Sequence, residues 1–161
     1  MKVVIVGGVA GGATAAARIR RLDERAEIVM IERSGYVSYA NCGLPYYIGG
    51  VIEDFGDLTL QTPENFRVRY RVDARVRQEA EEIDLARKRV KIRDLRTGKT
   101  YEEGYDKLLL SPGAKPIVPA IPGIEGERLF TLRTVEDTVA ISGFVRREKP
   151  RSALLIGGGF I

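Results

Sequence analysis

The sequence has no histidine, no tryptophan and a single cysteine. Without histidine these residues offer neither the commonest general acid–base group nor the commonest metal ligand, so a proton donor is expected to be another group, such as a tyrosine, or to come from a further part of the protein or a partner subunit, and no metal site is expected. One thiol, Cys42, cannot close an internal disulfide. No uncharged apolar run approaches the roughly 18 residues of a membrane helix, and no stretch reads as a signal peptide. These absences lead to the expectation of a soluble, cytoplasmic protein with no membrane partner. Charge of neither sign dominates, with 26 basic against 22 acidic residues and a net charge of +4. In segment 67–93, RVRYRVDARVRQEAEEIDLARKRVKIR, the arginines alternate with apolar residues and are interleaved with acids. That is the pattern of a solvated strand face, and no nucleic-acid partner is expected.

A chain of 161 residues is one domain, or one domain and a fragment. Its first 32 residues carry the clearest organisation. KVVIV, residues 2–6, is a β-branched run; GGVAGG follows at 7–12; ATAAARIRRL from Ala13 consists of good helix formers; and EIVMIE at 27–32 is a second strand. Strand, glycine turn, helix and strand predict a βαβ unit with parallel strands.

Thr62 and Pro63 mark a helix start for TPENFRVRY. Three strands are expected next, at Asp73–Gln78, Arg87–Asp94 and Thr100–Glu103, forming a meander with a turn at Thr97 and Gly98. A buried strand follows at Lys107–Leu110. The proline- and glycine-rich stretch from Pro112 to Gly126 reads as a crossing loop, and TVEDTVAISGFVRREK as a helix with Val135, Val139, Ile141 and Phe144 toward one side. SALLIGGGFI then repeats the opening pattern, with Gly157 and Gly159 where the first glycines of a second dinucleotide loop belong. The expected division is 1–112, a nucleotide-binding unit; 113–150, a linker and crossing helix; and 151–161, the start of a second unit in a longer protein.

In the first loop Gly7 allows the tight turn and Gly12 lets the helix approach the sheet, while backbone N–H groups at the helix start face a pyrophosphate. Glu32 lies 20 residues after Gly12, where a carboxylate can accept ribose hydroxyls. The middle glycine of the fingerprint is replaced by Val9. From the loop alone, FAD and NAD(P) are both open.

Cys42 sits in SGYVSYANCGLPYYIGG, residues 34–50. Asn41 reads as an N-cap, which would place Cys42 in the first turn of a short helix ending at Gly49 and Gly50, a position that favours thiolate. An inert buried cysteine is the bland alternative.

GGVAGGATAAARIRRL, IERS and SYANCGLPYYIGG together resemble the flavin-dependent pyridine nucleotide–disulfide oxidoreductases with one redox cysteine, and within them the branch that reduces coenzyme A disulfide. NADH oxidases and peroxidases are similar but usually have serine before the cysteine. The resemblance implies an α/β fold: a Rossmann-like FAD-binding domain, parallel sheet with β-meander, at the amino-terminal end of a glutathione-reductase-like fold with two dinucleotide domains. It implies FAD as cofactor, NAD(P)H as electron donor and a homodimer. It assigns Gly7, Val9, Ala10, Gly11, Gly12, Glu32, Arg33, Ala80, Ser111, Pro112, Gly113 and Arg133 to FAD, and Gly157 and Gly159 to NAD(P)H. Thr14, Arg18, Arg21, Ser38 and Asn41 fall at coenzyme A contacts, and Cys42 is the redox nucleophile. Residues 14, 18 and 21 share one helical face, as two phosphate-binding guanidiniums require. Where relatives carry a lysine contact the chain has Tyr70, between Arg69 and Arg71. The other readings of the same residues are an oxidase, peroxidase or polysulfide reductase using Cys42, and a nucleotide-binding module with an inert thiol.

Overall fold

The computed structural model describes residues 1–157. Four parallel strands form its central sheet: β1 (Lys2–Val6), β2 (Glu27–Glu32), β3 (Val72–Val76) and β7 (Lys107–Leu110), in the order β3-β2-β1-β7. Between the last two in sequence lie β4 (Gln78–Asp84), β5 (Arg89–Asp94) and β6 (Thr100–Gly104), an antiparallel sheet of its own. Helix α1 (Ala10–Leu22) links β1 to β2; α2 (Leu44–Ile48), α3 (Pro63–Tyr70) and α4 (Val135–Glu148) follow.

The central strands are buried on both faces, which is why β1 and β2 read as continuous apolar runs. Alternation sends Val3, Ile5, Ile28 and Met30 toward Ala13 and Ala16 of α1 and Phe66 of α3. Val4, Val29 and Ile31 point the other way, onto Val90 and Ile92 of β5. The result is three layers: helices, parallel sheet, meander.

Several boundaries differ from the sequence expectation. Helix α1 begins at Ala10, three residues before Ala13, so Gly11 and Gly12 lie inside its first turn. The strand expected at Asp73–Gln78 is divided at Arg77, whose φ of 59° breaks the extended backbone. Its first part joins the parallel sheet as β3, and Gln78 opens β4, a strand that was not expected because QEAEEID is poor in β-formers. Pairing with β5 holds it, including Glu81 against Arg93 Nε at 2.6 Å. The meander arginines do meet acids on a solvated surface: Arg87 and Arg89 both reach Glu102.

In α4 the inward face is Val135, Thr138 and Ser142, while Val139 is exposed. The helix starts where the sequence placed it, with Thr134 and Asp137 in a capping box. The strand expected within SALLIGGGFI does not form over residues 152–156. Residues 152–156 join neither sheet among the described residues. Gly159 lies outside the described residues.

Candidate active site

The glycine loop at the carboxyl end of β1 is shaped by two close approaches. Gly7 adopts φ +96°, and a Cβ there would overlap the Ser111 carbonyl; a Cβ on Gly12 would overlap the Gly7 carbonyl. The loop is closed by Glu32, which is 9% exposed and accepts from the backbone N–H of Gly8 through Oε2 (2.7 Å) and of Ser34 through Oε1 (2.8 Å). A carboxylate has about four lone-pair positions, so Glu32 keeps acceptor capacity for ligand hydroxyls. Val9, at the fingerprint's middle position, packs against the cluster of Tyr39, Leu44, Leu58 and Val135. Its side chain therefore has an apolar anchor beside the loop.

These elements open onto a cleft of about 740 Å³, within the range of small-molecule and cofactor sites. It brings together Val9, Ala10, Gly11, Glu32, Arg33, Asn41, Ser111, Pro112, Gly113 and Arg133 from the residues singled out in the sequence. Gly7, Gly12 and Ala80 do not line it. Gly7 and Gly12 form the loop's support, and Ala80, on β4, packs against the core beneath the meander. Thr14, Arg18 and Arg21 are exposed along one face of α1, outside the cleft lining. Arg20 on the same helix is committed to structure, donating to the carbonyls of Tyr70, Asp23, Glu24 and Arg71. Tyr70 packs on Phe66 with ring centroids 5.5 Å apart, and Arg71 pairs with Glu24 at 3.0 Å.

Sequence reasoning missed cleft residues that arrive from distant elements. Arg77 enters from the break between β3 and β4. Glu136 and Asp137 enter from the first turn of α4, and Lys115 follows the Ser111–Gly113 turn. Glu136 Oε1 accepts from Gly35 N–H at 2.8 Å and lies 3.4 Å from Arg77 Nη2. Its Oε2 is buried on the cleft wall without a hydrogen-bond partner among the described residues. The only local signal was the capping box, which marks where α4 starts but not what it faces.

The cleft suits a dinucleotide. The first turn of α1 has no acidic residue and no side-chain cap, which leaves its N–H groups for an anion. Arg33, Arg77, Lys115 and Arg133 add positive charge, and Glu32 and Glu136 supply acceptors for hydroxyl or amine groups. Tyr39 is 7% exposed, and burial, reinforced by the nearby Glu32 carboxylate, pushes its phenol up to about 12, so it stays protonated at neutral pH.

Cys42 is exposed. It lies in a 3-10 turn, Asn41–Gly43, that runs into α2 and ends at Gly49. Asn41 is not the N-cap the sequence suggested. Ala40 occupies that position, and Asn41 Oδ1 accepts from Arg133 Nη1 at 3.1 Å. Arg133 Nε also donates to Ala114 O at 3.3 Å, so one guanidinium spans from the turn after β7 to the Cys42 turn. Ser38 precedes it in left-handed backbone (φ 48°), its N–H on Gly8 O at 2.9 Å.

Fold and cleft define a Rossmann-like dinucleotide-binding protein with an exposed thiol one residue from its cleft wall. Family comparison gives the same answer: the pyridine nucleotide-disulphide oxidoreductase model matches residues 1–161, and the chain belongs to that family. It is 42% identical over 160 residues to a coenzyme A disulfide reductase of Staphylococcus aureus strain JH9, covering 99% of this chain and 36% of the relative. The structure of reduced Bacillus anthracis CoADR-RHD is 55% identical with a TM-score of 0.91, over 93% of this chain and 27% of that one. An NAD-dependent persulfide reductase from A. fulgidus is 40% identical with a TM-score of 0.85, over 91% and 27%. The chain thus spans about a third of the length of the curated relative.

Proposed function

We propose that this chain carries the FAD-binding unit and redox thiol of an NAD(P)H oxidoreductase that reduces coenzyme A disulfide through Cys42. The observation that carries the reading is the Arg133 bridge, which joins the dinucleotide cleft to the turn holding the only thiol. In this reading residues 1–112 are the FAD-binding unit, 113–150 the crossing segment and 151–161 the start of the NAD(P)H-binding unit. The full protein acts as a homodimer.

Gly7 to Gly12 shape the loop that receives the pyrophosphate on the N–H groups of α1, with Val9 anchoring it. Glu32 and Arg33 would hold the adenosine ribose, and Ser111, Pro112, Gly113 and Arg133 would line the rest of the cleft; the adenine contact at the backbone of Ala80 rests on the family resemblance, since Ala80 stands outside the cleft lining. Bound FAD supplies two-electron transfer from NAD(P)H, received through Gly157, Gly159 and the unit they open. Thr14, Arg18, Arg21, Ser38 and Asn41 receive coenzyme A, the two arginines taking its phosphates.

The Cys42 thiolate attacks one sulfur of coenzyme A disulfide, breaking the S–S bond, releasing one coenzyme A thiolate and forming a Cys42–coenzyme A mixed disulfide. Two electrons from NAD(P)H then cleave that bond and return Cys42 to thiolate with release of the second coenzyme A. Together with one proton this converts one disulfide and one NAD(P)H into two thiols and NAD(P)⁺. A resolving cysteine is unnecessary because the substrate provides the second sulfur.

Purification of the full protein without reductant, followed by intact mass and peptide mapping, is expected to find coenzyme A on Cys42. Extra oxygen or sulfur there, without coenzyme A, would instead support an oxidase, peroxidase or persulfide reductase, the last being the activity named for the A. fulgidus relative. Cys42→Ser is expected to abolish disulfide reduction while FAD remains bound.

A further inference from the structure

We propose that Arg133 and Asn41 form a positioning pair that couples occupancy of the dinucleotide cleft to the order of the Cys42 turn. The inference rests on the FAD reading above and concerns how that site communicates with the thiol. The two residues stand 92 positions apart and meet at 3.1 Å. Asn41 belongs to the same turn as Cys42, a turn closed on itself by the Gly43 N–H on Ala40 O at 2.9 Å. No side chain caps it. Its Asn41 side chain is therefore held not by its own helix but by a group on the cleft wall.

Arg133 suits that task because its guanidinium is a rigid plate with five N–H donors in fixed directions. Nε and Nη1 are engaged by Ala114 O and Asn41 Oδ1. Nη2 lies 3.1 Å from where a Cβ of Gly113 would stand, at the turn that lines the cleft. A ligand oxygen bonded to the same plate immobilises it, and the cost of ordering the arginine is then shared by the ligand contact and the Asn41 contact. Each strengthens the other, and the coupling is reciprocal. With one lone pair of Oδ1 committed to Arg133, the Asn41 amide keeps its Nδ2 donors and one acceptor position for a ligand beside Cys42.

The test is hydrogen exchange of the full protein with and without FAD, read on the peptide spanning Ala40 to Leu44, alongside FAD titration by fluorescence. FAD is expected to slow exchange in that peptide about tenfold in the wild type. Asn41→Ala should still bind FAD, more weakly, and lose most of the slowing. Asn41→Asp keeps an acceptor oxygen for Arg133 and should restore it, a rescue that simple loss of packing does not produce. Equal slowing in the wild type and Asn41→Ala, or no rescue by Asn41→Asp, overturns the pair while leaving the FAD reading intact. Failure of the wild type to bind FAD overturns the reading and the inference together.

Discussion

Gly12 shows how a single missing methyl group builds a site. Its Cα faces the Gly7 carbonyl so closely that a Cβ would overlap that oxygen, with Ile5 Cγ2 only 3.0 Å away on the sheet side. Helix α1 can sit against β1 only with glycine here, and that approach aims its first N–H groups into the cleft. Gly12→Ala in the full protein is expected to cost about 3 kcal/mol of stability by chemical denaturation and to weaken FAD binding. Val9 makes the complementary point. A strict fingerprint asks for glycine, yet the valine side chain has a place in the Tyr39, Leu44, Leu58 and Val135 cluster.

The two sheets are joined by ions as well as by apolar side chains. Glu103 of β6 accepts from Lys2 of β1 at 2.7 Å and from Arg75 of β3 at 2.5 Å, with its side chain only 13% exposed. Burial pushes the Glu103 carboxyl up, but hydrogen bonds from Lys2 and Arg75 outweigh it and hold the group below the usual carboxylate range. Its folded pKa is therefore depressed, so its contribution to stability is complete above the unfolded value of about 4.5 and is lost as pH falls through the lower folded value. Glu103→Gln is expected to cost about 2 kcal/mol at neutral pH. A urea titration repeated across acid pH should show a flatter loss of stability for this variant below roughly pH 5.

Taken whole, the molecule separates two kinds of positive charge. Arg33, Arg77, Lys115 and Arg133 lie around the cleft, whereas Arg18 and Arg21 stand exposed with Thr14 along α1. Under the proposed function the first group serves the cofactor and the second the substrate's phosphates. Replacing Arg18 and Arg21 together by alanine is expected to raise the KM for coenzyme A disulfide about tenfold. Reduction of a small uncharged disulfide by the same variant should be unchanged, as should FAD binding. Loss of both activities would place the two arginines in the fold or the cofactor site instead.

The β1, glycine turn, α1 and β2 unit was legible in the chain because its signals are local: β-branched runs, helix formers and an acid at fixed spacing. Cys42 was legible because it is the only thiol, and Arg133 and the Ser111–Gly113 turn through the family resemblance. The acid-rich β4 was not, since its stability comes from pairing with β5 and from charge pairs across the meander. The division at Arg77, the arrival of Glu136 beside Gly35 across 101 positions and the capture of Asn41 by Arg133 depend on contacts between segments far apart in sequence. Spacing along the chain carries no record of such contacts, because they arise only when the layers pack and bring separate loops to the same end of the sheet.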